Sequence, residues 1–110
     1  MIWRLRGRAA VSQLRRRGRR LGSTPLRMVY LLDEADDPPR VGFSVPRRVG
    51  NAVERNRIRR RLRALAGDEP VLPSGSYLLL VDPPAATWTY EELRTAMAHL
   101  TEAVREASTR

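Results

Sequence analysis

The spacing of apolar residues in the first half of the chain predicts one helix followed by strands. Residues 9–17 carry apolar side chains at helical spacing, and Gly18 ends this short helix. The apolar runs 26–32 and 40–45 are typical of strands, and the turn-rich acidic stretch between them predicts that they pair as a hairpin. A further short strand is also possible near residues 19–23.

The second half of the chain predicts a helix, a strand and a helix. Asn51 is placed to cap a helix that runs to about Ala66, and Glu54 completes a capping-box pattern. Residues 76–81 are apolar throughout after Ser76, which is typical of a buried strand. Thr89 caps a last helix whose apolar positions recur at helical spacing. No repeat or linker divides the chain, so one domain is expected.

The helix from 51 to 66 combines a narrow apolar stripe with a wide cationic surface. Leu62 and Leu65 lie within about 40° of Ile58 around the helix axis, so the three should face the core. Like charges four residues apart destabilise an isolated helix, and a bound polyanion would relieve that repulsion. The alternative is a solvated surface whose arginines pair with the acidic residues of 33–37.

Charge and composition narrow the classes of partner and of chemistry. The chain has 110 residues and a net charge of +9, and every one of its 21 basic residues is an arginine. Residues 1–27 and 40–63 are strongly positive, whereas 28–39 and 64–110 are acidic, which favours a folded protein with one basic surface. The partner is therefore expected to be a polyanion, either a nucleic acid or an anionic membrane surface.

The sequence predicts no active site carried by the protein. Cysteine is absent, which excludes disulfides and thiol chemistry and is compatible with a reducing compartment. The single histidine, His99, excludes sites that need two imidazoles and is expected to be structural. The acids of 33–37 lack the spacing of a calcium loop and are interpreted as a polar turn, so no metal site is predicted. No run is long enough to span a membrane, and the arginine-rich start is interpreted as part of the mature protein.

One block of the sequence has a specific resemblance. Residues 40–63, RVGFSVPRRVGNAVERNRIRRRLR, closely resemble the signature of the bacterial ribonuclease P protein component, whose RNR element matches residues 55–57. With its flanking strands and helices the resemblance extends over about residues 4 to 107. It implies an α/β (α+β sandwich) fold of order αβββαβα, with a small mixed sheet, a left-handed βαβ crossover and a ribosomal S5 domain 2-like architecture. Residues 1–110 would form a single RNA-binding domain, of which 1–8 are expected to be flexible.

The resemblance also implies a function. Such a chain is the small subunit of ribonuclease P, which binds a large catalytic RNA and assists removal of the 5′ leader of precursor tRNA. The holoenzyme is an endoribonuclease, and this chain alone is expected to be inactive, with Mg²⁺ held mainly by the RNA. We expect one protein per RNA, a cytoplasmic location and no membrane partner.

The family pattern assigns two sets of binding residues. Those expected to contact the catalytic RNA are Arg47, Arg48, Arg55, Asn56, Arg57, Arg59, Arg60 and Arg63. Those expected to contact the leader are Val11, Arg15, Tyr30 and Phe43. Tyr30 would stack on an unpaired base, the alternative being a half-buried strand residue. Val11 and Arg15 stand where the family often has aromatics, and Asp82 stands where a basic residue is common, which should weaken leader attraction there.

Two other classes of function remain open on sequence alone. One is a structural RNA-binding protein of ribosomal type, which the size and charge allow. The other is a basic protein that binds membrane surfaces through its N-terminal arginines. The RNR block favours the ribonuclease P interpretation over both.

Overall fold

A computed structural model describes residues 1–68 and 71–109 as one five-stranded sheet with three α-helices. In chain order the elements are β1 (Trp3–Arg4), α1 (Arg8–Arg17), β2 (Arg19–Ser23), β3 (Leu26–Leu32), β4 (Arg40–Ser44), α2 (Ala52–Gly67), β5 (Gly75–Val81) and α3 (Tyr90–Ser108). Short 3₁₀ turns at Arg47–Val49 and Pro83–Thr87 precede α2 and α3. Apart from the two-residue β1, this is the expected order αβββαβα, and the additional strand at 19–23 is present.

The last strand in the sequence is the central strand of the sheet. The order across the sheet is β1-β4-β5-β3-β2, with β5 antiparallel to β3 and parallel to β4. The predicted hairpin between 26–32 and 40–45 is therefore wrong, because β5 lies between those two strands. A uniformly apolar strand is most stable in the middle of a sheet, where both of its faces are covered. The hairpin partner of β3 is instead β2.

The start of the chain adds an edge strand to the sheet. The backbone NH of Trp3 donates to the carbonyl of Pro39 at 2.8 Å, and that of Leu5 donates to Val41 at 3.1 Å. These bonds hold β1 parallel to β4. Part of the segment 1–8 thus satisfies hydrogen-bonding groups on the outer edge of β4, and the expected flexibility of this segment stays a prediction.

Strand alternation gives the sheet two unlike faces. We call the face packed against α2 and α3 the two-helix face, and the larger core cluster lies there around Met28, Tyr77 and Leu79. On the other side, which we call the α1 face, Leu14 of α1 packs against Val29 and its neighbours in a smaller cluster. Leu31 and Leu80 on this second face are only half-buried.

Both predicted helix caps are confirmed. The Asn51 side chain accepts from the Glu54 NH at 2.8 Å, and the Glu54 carboxylate accepts from the Asn51 NH at 2.9 Å. Thr89 and Glu92 form the same reciprocal pair at the start of α3. These bonds fix where each helix begins, and in α2 they fix the first turn of the arginine-rich helix.

Candidate nucleic-acid interface

Helix α2 buries the stripe that its sequence predicts. Ile58, Leu62 and Leu65 are all buried against the two-helix face, together with Ala66. Burial of this stripe turns the other sides of the helix outward, where Asn56, Arg60 and Arg63 are exposed and Arg55, Arg57, Arg59 and Arg61 are half-buried. The cationic side of α2 is therefore set by apolar packing on its opposite side.

Several of the outward side chains are held in place by local contacts. Arg59 Nη1 donates to Asn56 Oδ1 at 3.1 Å. Arg55 Nε donates to the carbonyl of Gly50 at 3.1 Å, which ties the helix to the turn before it. The guanidinium carbon of Arg63 lies 5.4 Å from the centroid of the Phe43 ring, within cation–π range. The cationic surface is thus partly preorganised, which lowers the entropy lost on binding.

No acidic side chain neutralises these arginines within residues 1–68 and 71–109. The ion pairs there are Arg27–Asp82, Arg40–Asp33 and Arg94–Glu91. The alternative in which α2 pairs with the acids of 33–37 is therefore not seen, since Asp33 pairs with Arg40 at the start of β4. The positive charge of α2 remains available to an external anion.

The basic pair before α2 lies in the 3₁₀ turn. Arg47 and Arg48 are both exposed, and the turn passes directly through Gly50 into the α2 cap. Arg48 also acts electrostatically on Asp82, whose pKa is lowered mainly by the hydrogen bond from Arg27. The structure therefore places the pair and the helix in one continuous basic segment.

The α1 face carries two of the four residues predicted to bind the leader. Val11 is half-buried on α1 and Arg15 is exposed one turn later. They line a shallow groove of about 600 Å³ together with Arg8, Ser12 and Arg16. An apolar floor with guanidinium groups beside it suits an unpaired RNA strand, which offers both a base and a phosphate.

The other two predicted leader residues lie on the opposite side of the sheet. Tyr30 is only 3% exposed and stacks on Tyr77 in the two-helix core, with ring centroids 6.2 Å apart. Phe43 packs against the same core beneath Arg63. The prediction that Tyr30 and Phe43 join Val11 in a leader site is corrected here, because the period-two alternation of a strand points them away from α1. For Tyr30 the structure favours the alternative of a strand residue, and the side chain is buried rather than half-buried.

Sequence reasoning missed the residues that accompany Val11 on the α1 face. Leu31 and Leu80 are half-buried there and pack against the smaller core cluster. Strand alternation was the available signal, since Leu31 follows Tyr30 and must face the other way. What was lacking was knowledge of which face α1 covers.

The acidic loop forms a structural turn. The Asp33 carboxylate accepts from the Ala35 NH at 3.1 Å and from Ser74 Oγ at 2.7 Å, and its pKa is lowered chiefly by the hydrogen bond from Arg40. In the part of the chain that the structure describes, no three His, Asp or Glu side chains are grouped closely enough to hold a metal ion. His99, expected to be structural, is exposed on α3. No helix of those same residues is long and apolar enough to cross a membrane.

Comparison with known proteins identifies the family to which the chain belongs. The Ribonuclease P family model matches residues 2–105. A ribonuclease P protein component from a Nocardioides species is 47% identical, over 82% of this chain and 80% of that protein. Another, from Thermobifida fusca, is 38% identical, over 96% of this chain and 87% of that protein.

Solved structures share the fold. The RNase P protein of Staphylococcus aureus superposes with a TM-score of 0.81 at 20% identity, covering 98% of this chain and 96% of that one. The RNase P protein of Thermotoga maritima gives 0.80 at 20% identity, covering 92% and 96%. With a family model over nearly its whole length, close sequence relatives and this shared fold, the chain belongs to the bacterial ribonuclease P protein family.

Proposed function

We propose that the chain is the protein subunit of ribonuclease P and binds the catalytic RNA through α2 and the turn before it. The observation that carries this proposal is the arginine surface of α2, which is fixed by a capping box and a buried stripe yet paired with no carboxylate in the described residues. The residues proposed to contact the RNA are Arg47, Arg48, Arg55, Asn56, Arg57, Arg59, Arg60 and Arg63. Guanidinium groups pair with phosphates in a forked geometry that suits an RNA backbone.

The 5′ leader of precursor tRNA is proposed to bind on the α1 face. Val11, Leu31 and Leu80 supply apolar contact, and Arg15 supplies charge beside them. The two RNAs would then contact different faces of one sheet. The protein would lower the repulsion between them and hold the leader near the cleavage point.

Cleavage itself is proposed to be the work of the RNA subunit. Magnesium, held mainly by that RNA, would activate water and stabilise the leaving oxygen. The protein contributes positioning and positive charge. Because the RNA supplies the catalysis, the holoenzyme is an endoribonuclease while the chain alone is inactive. One protein per RNA, acting in the cytoplasm, completes the proposal.

Reconstitution tests this function directly. The protein is mixed with a bacterial ribonuclease P RNA at low magnesium, and 5′ cleavage of a precursor tRNA is followed over time. We expect cleavage that depends on the protein and none from the protein alone. RNA binding with no gain in cleavage would instead support the structural, ribosomal-type alternative. Liposome flotation that survives nuclease treatment would support the membrane-surface alternative.

A further inference from the structure

A second basic groove lies at the β1 edge of the sheet, apart from the α1 face. Its lining includes Trp3 and Arg4 of β1, Phe43 of β4, and Arg59 and Arg63 of α2. We call it the edge groove. Its volume of about 460 Å³ is in the range of sites that hold a small organic group.

The aromatic group at the mouth of this groove is unusually exposed. Trp3 is 46% exposed, one of few large apolar side chains at the surface of the described residues. It is nevertheless held by backbone hydrogen bonds, because the bonds from Trp3 to Pro39 and from Leu5 to Val41 fix the strand on either side of it. An exposed indole on a fixed backbone offers a flat surface for stacking.

The rest of the groove supplies positive charge. Arg63 lies over the Phe43 ring, and Arg59 Nη2 is 3.4 Å from the carbonyl of Val45. Neither arginine is in an ion pair with a carboxylate of the described residues, and no acidic residue lines the groove. Three guanidinium groups beside two aromatic rings suit a ligand that carries both a flat ring and a negative charge.

We propose that the edge groove binds an unpaired nucleotide of the RNA partner, with its base on Trp3 and its phosphate at Arg59 and Arg63. Unpaired bases stack on aromatic side chains, whereas bases inside an A-form duplex are not accessible for stacking. This inference rests on the proposed function, in which α2 faces an RNA. It adds to that function a base-stacking site formed by the N-terminal strand.

Tryptophan fluorescence gives a direct test. The variant Trp88→Phe leaves Trp3 as the only indole, and it is titrated with three probes: an eight-nucleotide oligouridine, an abasic oligomer of the same length and a blunt RNA duplex. We expect quenching by oligouridine and little by the other two. Equal quenching by the abasic oligomer would overturn base stacking and leave a general anion site. An equal response to the duplex would overturn the requirement for an unpaired nucleotide.

Affinity measurements on the otherwise native chain provide a second test. Trp3→Ala should weaken oligouridine binding on the order of 10-fold, and Trp3→Phe should lose less because a ring is kept. The matched control is Tyr90→Ala, which removes another exposed aromatic, 37% exposed, on α3. Equal losses for Trp3→Ala and Tyr90→Ala would contradict the proposal. Melting curves establish that each variant is folded.

The holoenzyme separates this inference from the proposed function. RNA carrying 4-thiouridine is cross-linked to the whole protein, and the modified peptide is identified by mass spectrometry. If the wild type supports cleavage but no cross-link reaches the peptide containing Trp3, the edge groove is wrong while the function stands. If oligouridine quenches Trp3 but reconstitution gives no cleavage, the groove stands and the function is wrong.

Discussion

The carboxylate of Asp82 accepts two hydrogen bonds from the guanidinium of Arg27, at 3.0 Å from Nε and 2.8 Å from Nη2. Thr24 Oγ1 donates a third at 3.1 Å, and the Asp82 NH donates to the carbonyl of Pro25. Asp82 follows β5 directly, so it joins the end of the central strand to the β2–β3 turn. From sequence, this acid was expected only to weaken leader attraction, whereas the structure shows that it also bonds to Arg27 and Thr24 within the fold.

Stability should depend on the ionised form of Asp82. The hydrogen bond from Arg27 lowers the pKa of Asp82, so its contribution is complete at neutral pH and is lost as the pH falls through the folded-state value. We expect Asp82→Asn to lower the free energy of unfolding by about 1 kcal/mol at neutral pH. The difference from wild type should be smaller at about pH 2 than at neutral pH, because the wild-type carboxylate becomes protonated as the pH falls through its lowered folded-state pKa.

Urea unfolding at both pH values measures this difference. Asp33 also has a lowered pKa, through Arg40, and it weakens both proteins alike on acidification. The quantity to compare is therefore the gap in unfolding free energy between Asp82→Asn and wild type at each pH. A gap that stays constant with pH would show that Asp82 acts through packing rather than charge.

Two arginines of α2 should affect RNA binding far more than folding. Arg57 and Arg60 make no ion pair in the described residues and lie away from the buried stripe. Arg55 is left unchanged because its side chain bonds to the Gly50 carbonyl and so also contributes to the fold. The double variant Arg57→Gln, Arg60→Gln should reduce the log–log salt slope of catalytic-RNA binding by about 1.5 to 2.

The matched control for that pair is Arg94→Gln, which removes a cation from α3. Its guanidinium is bonded to Glu91 in an exposed pair, so little effect on RNA affinity is expected. Filter binding across a salt series gives both slopes. Equal slopes for the double variant and the wild type would remove α2 from the RNA interface.

The α1 face should discriminate precursor from mature tRNA. Arg15→Gln removes an exposed charge from the α1 groove and should weaken holoenzyme binding of precursor tRNA several-fold, about 1 kcal/mol, while sparing mature tRNA. Tyr30→Phe keeps the buried ring and should change neither affinity. A selective loss of precursor tRNA affinity for Tyr30→Phe, with none for Arg15→Gln, would place the leader on the two-helix face instead of the α1 face.

Gly18 should tolerate no side chain. A Cβ there would lie 2.4 Å from the Leu14 carbonyl oxygen and 2.6 Å from Val29 Cγ1, so α1 would have to move off the sheet. Gly18→Ala should destabilise the fold by about 1–3 kcal/mol, as overpacking generally does. The control Gly67→Ala places its Cβ in open space and should be neutral or slightly stabilising. Thermal melts compare the two, and equal melting temperatures would refute the close approach.

Local features were predictable from the sequence, and long-range ones were not. The α2 stripe and its cap depend on residues within a few positions of one another, such as Asn51 and Glu54, so spacing alone located them. The partners of β3 depend on a strand about fifty residues away, and nearness in sequence suggested the wrong hairpin. Strand pairing of this kind is decided by packing of the whole sheet.

In the candidate site, too, local spacing was enough to place some residues and long-range packing decided the position of others. The arginines of α2 were assigned correctly to one side of a helix because the buried stripe specifies the opposite side. Tyr30 and Phe43 were assigned to the leader site from the family pattern, and alternation gives only which strand residues share a face. Alternation does not show which face of the sheet α1 covers. Tyr30 and Phe43 lie on the opposite face, in the core beneath α2 and α3.

The central position of β5 has a consequence for the order in which the protein folds. Residues 75–81 provide the only strand that bonds to both β3 and β4 in the described residues. Until this strand is in place, β3 and β4 have no common neighbour, and α2 has no complete apolar surface on which to pack. Assembly is thus dominated by contacts distant in sequence, which slows folding. During synthesis on the ribosome, the arginine-rich helix emerges well before the strand that positions it, so the RNA-binding surface should mature late and in one cooperative step.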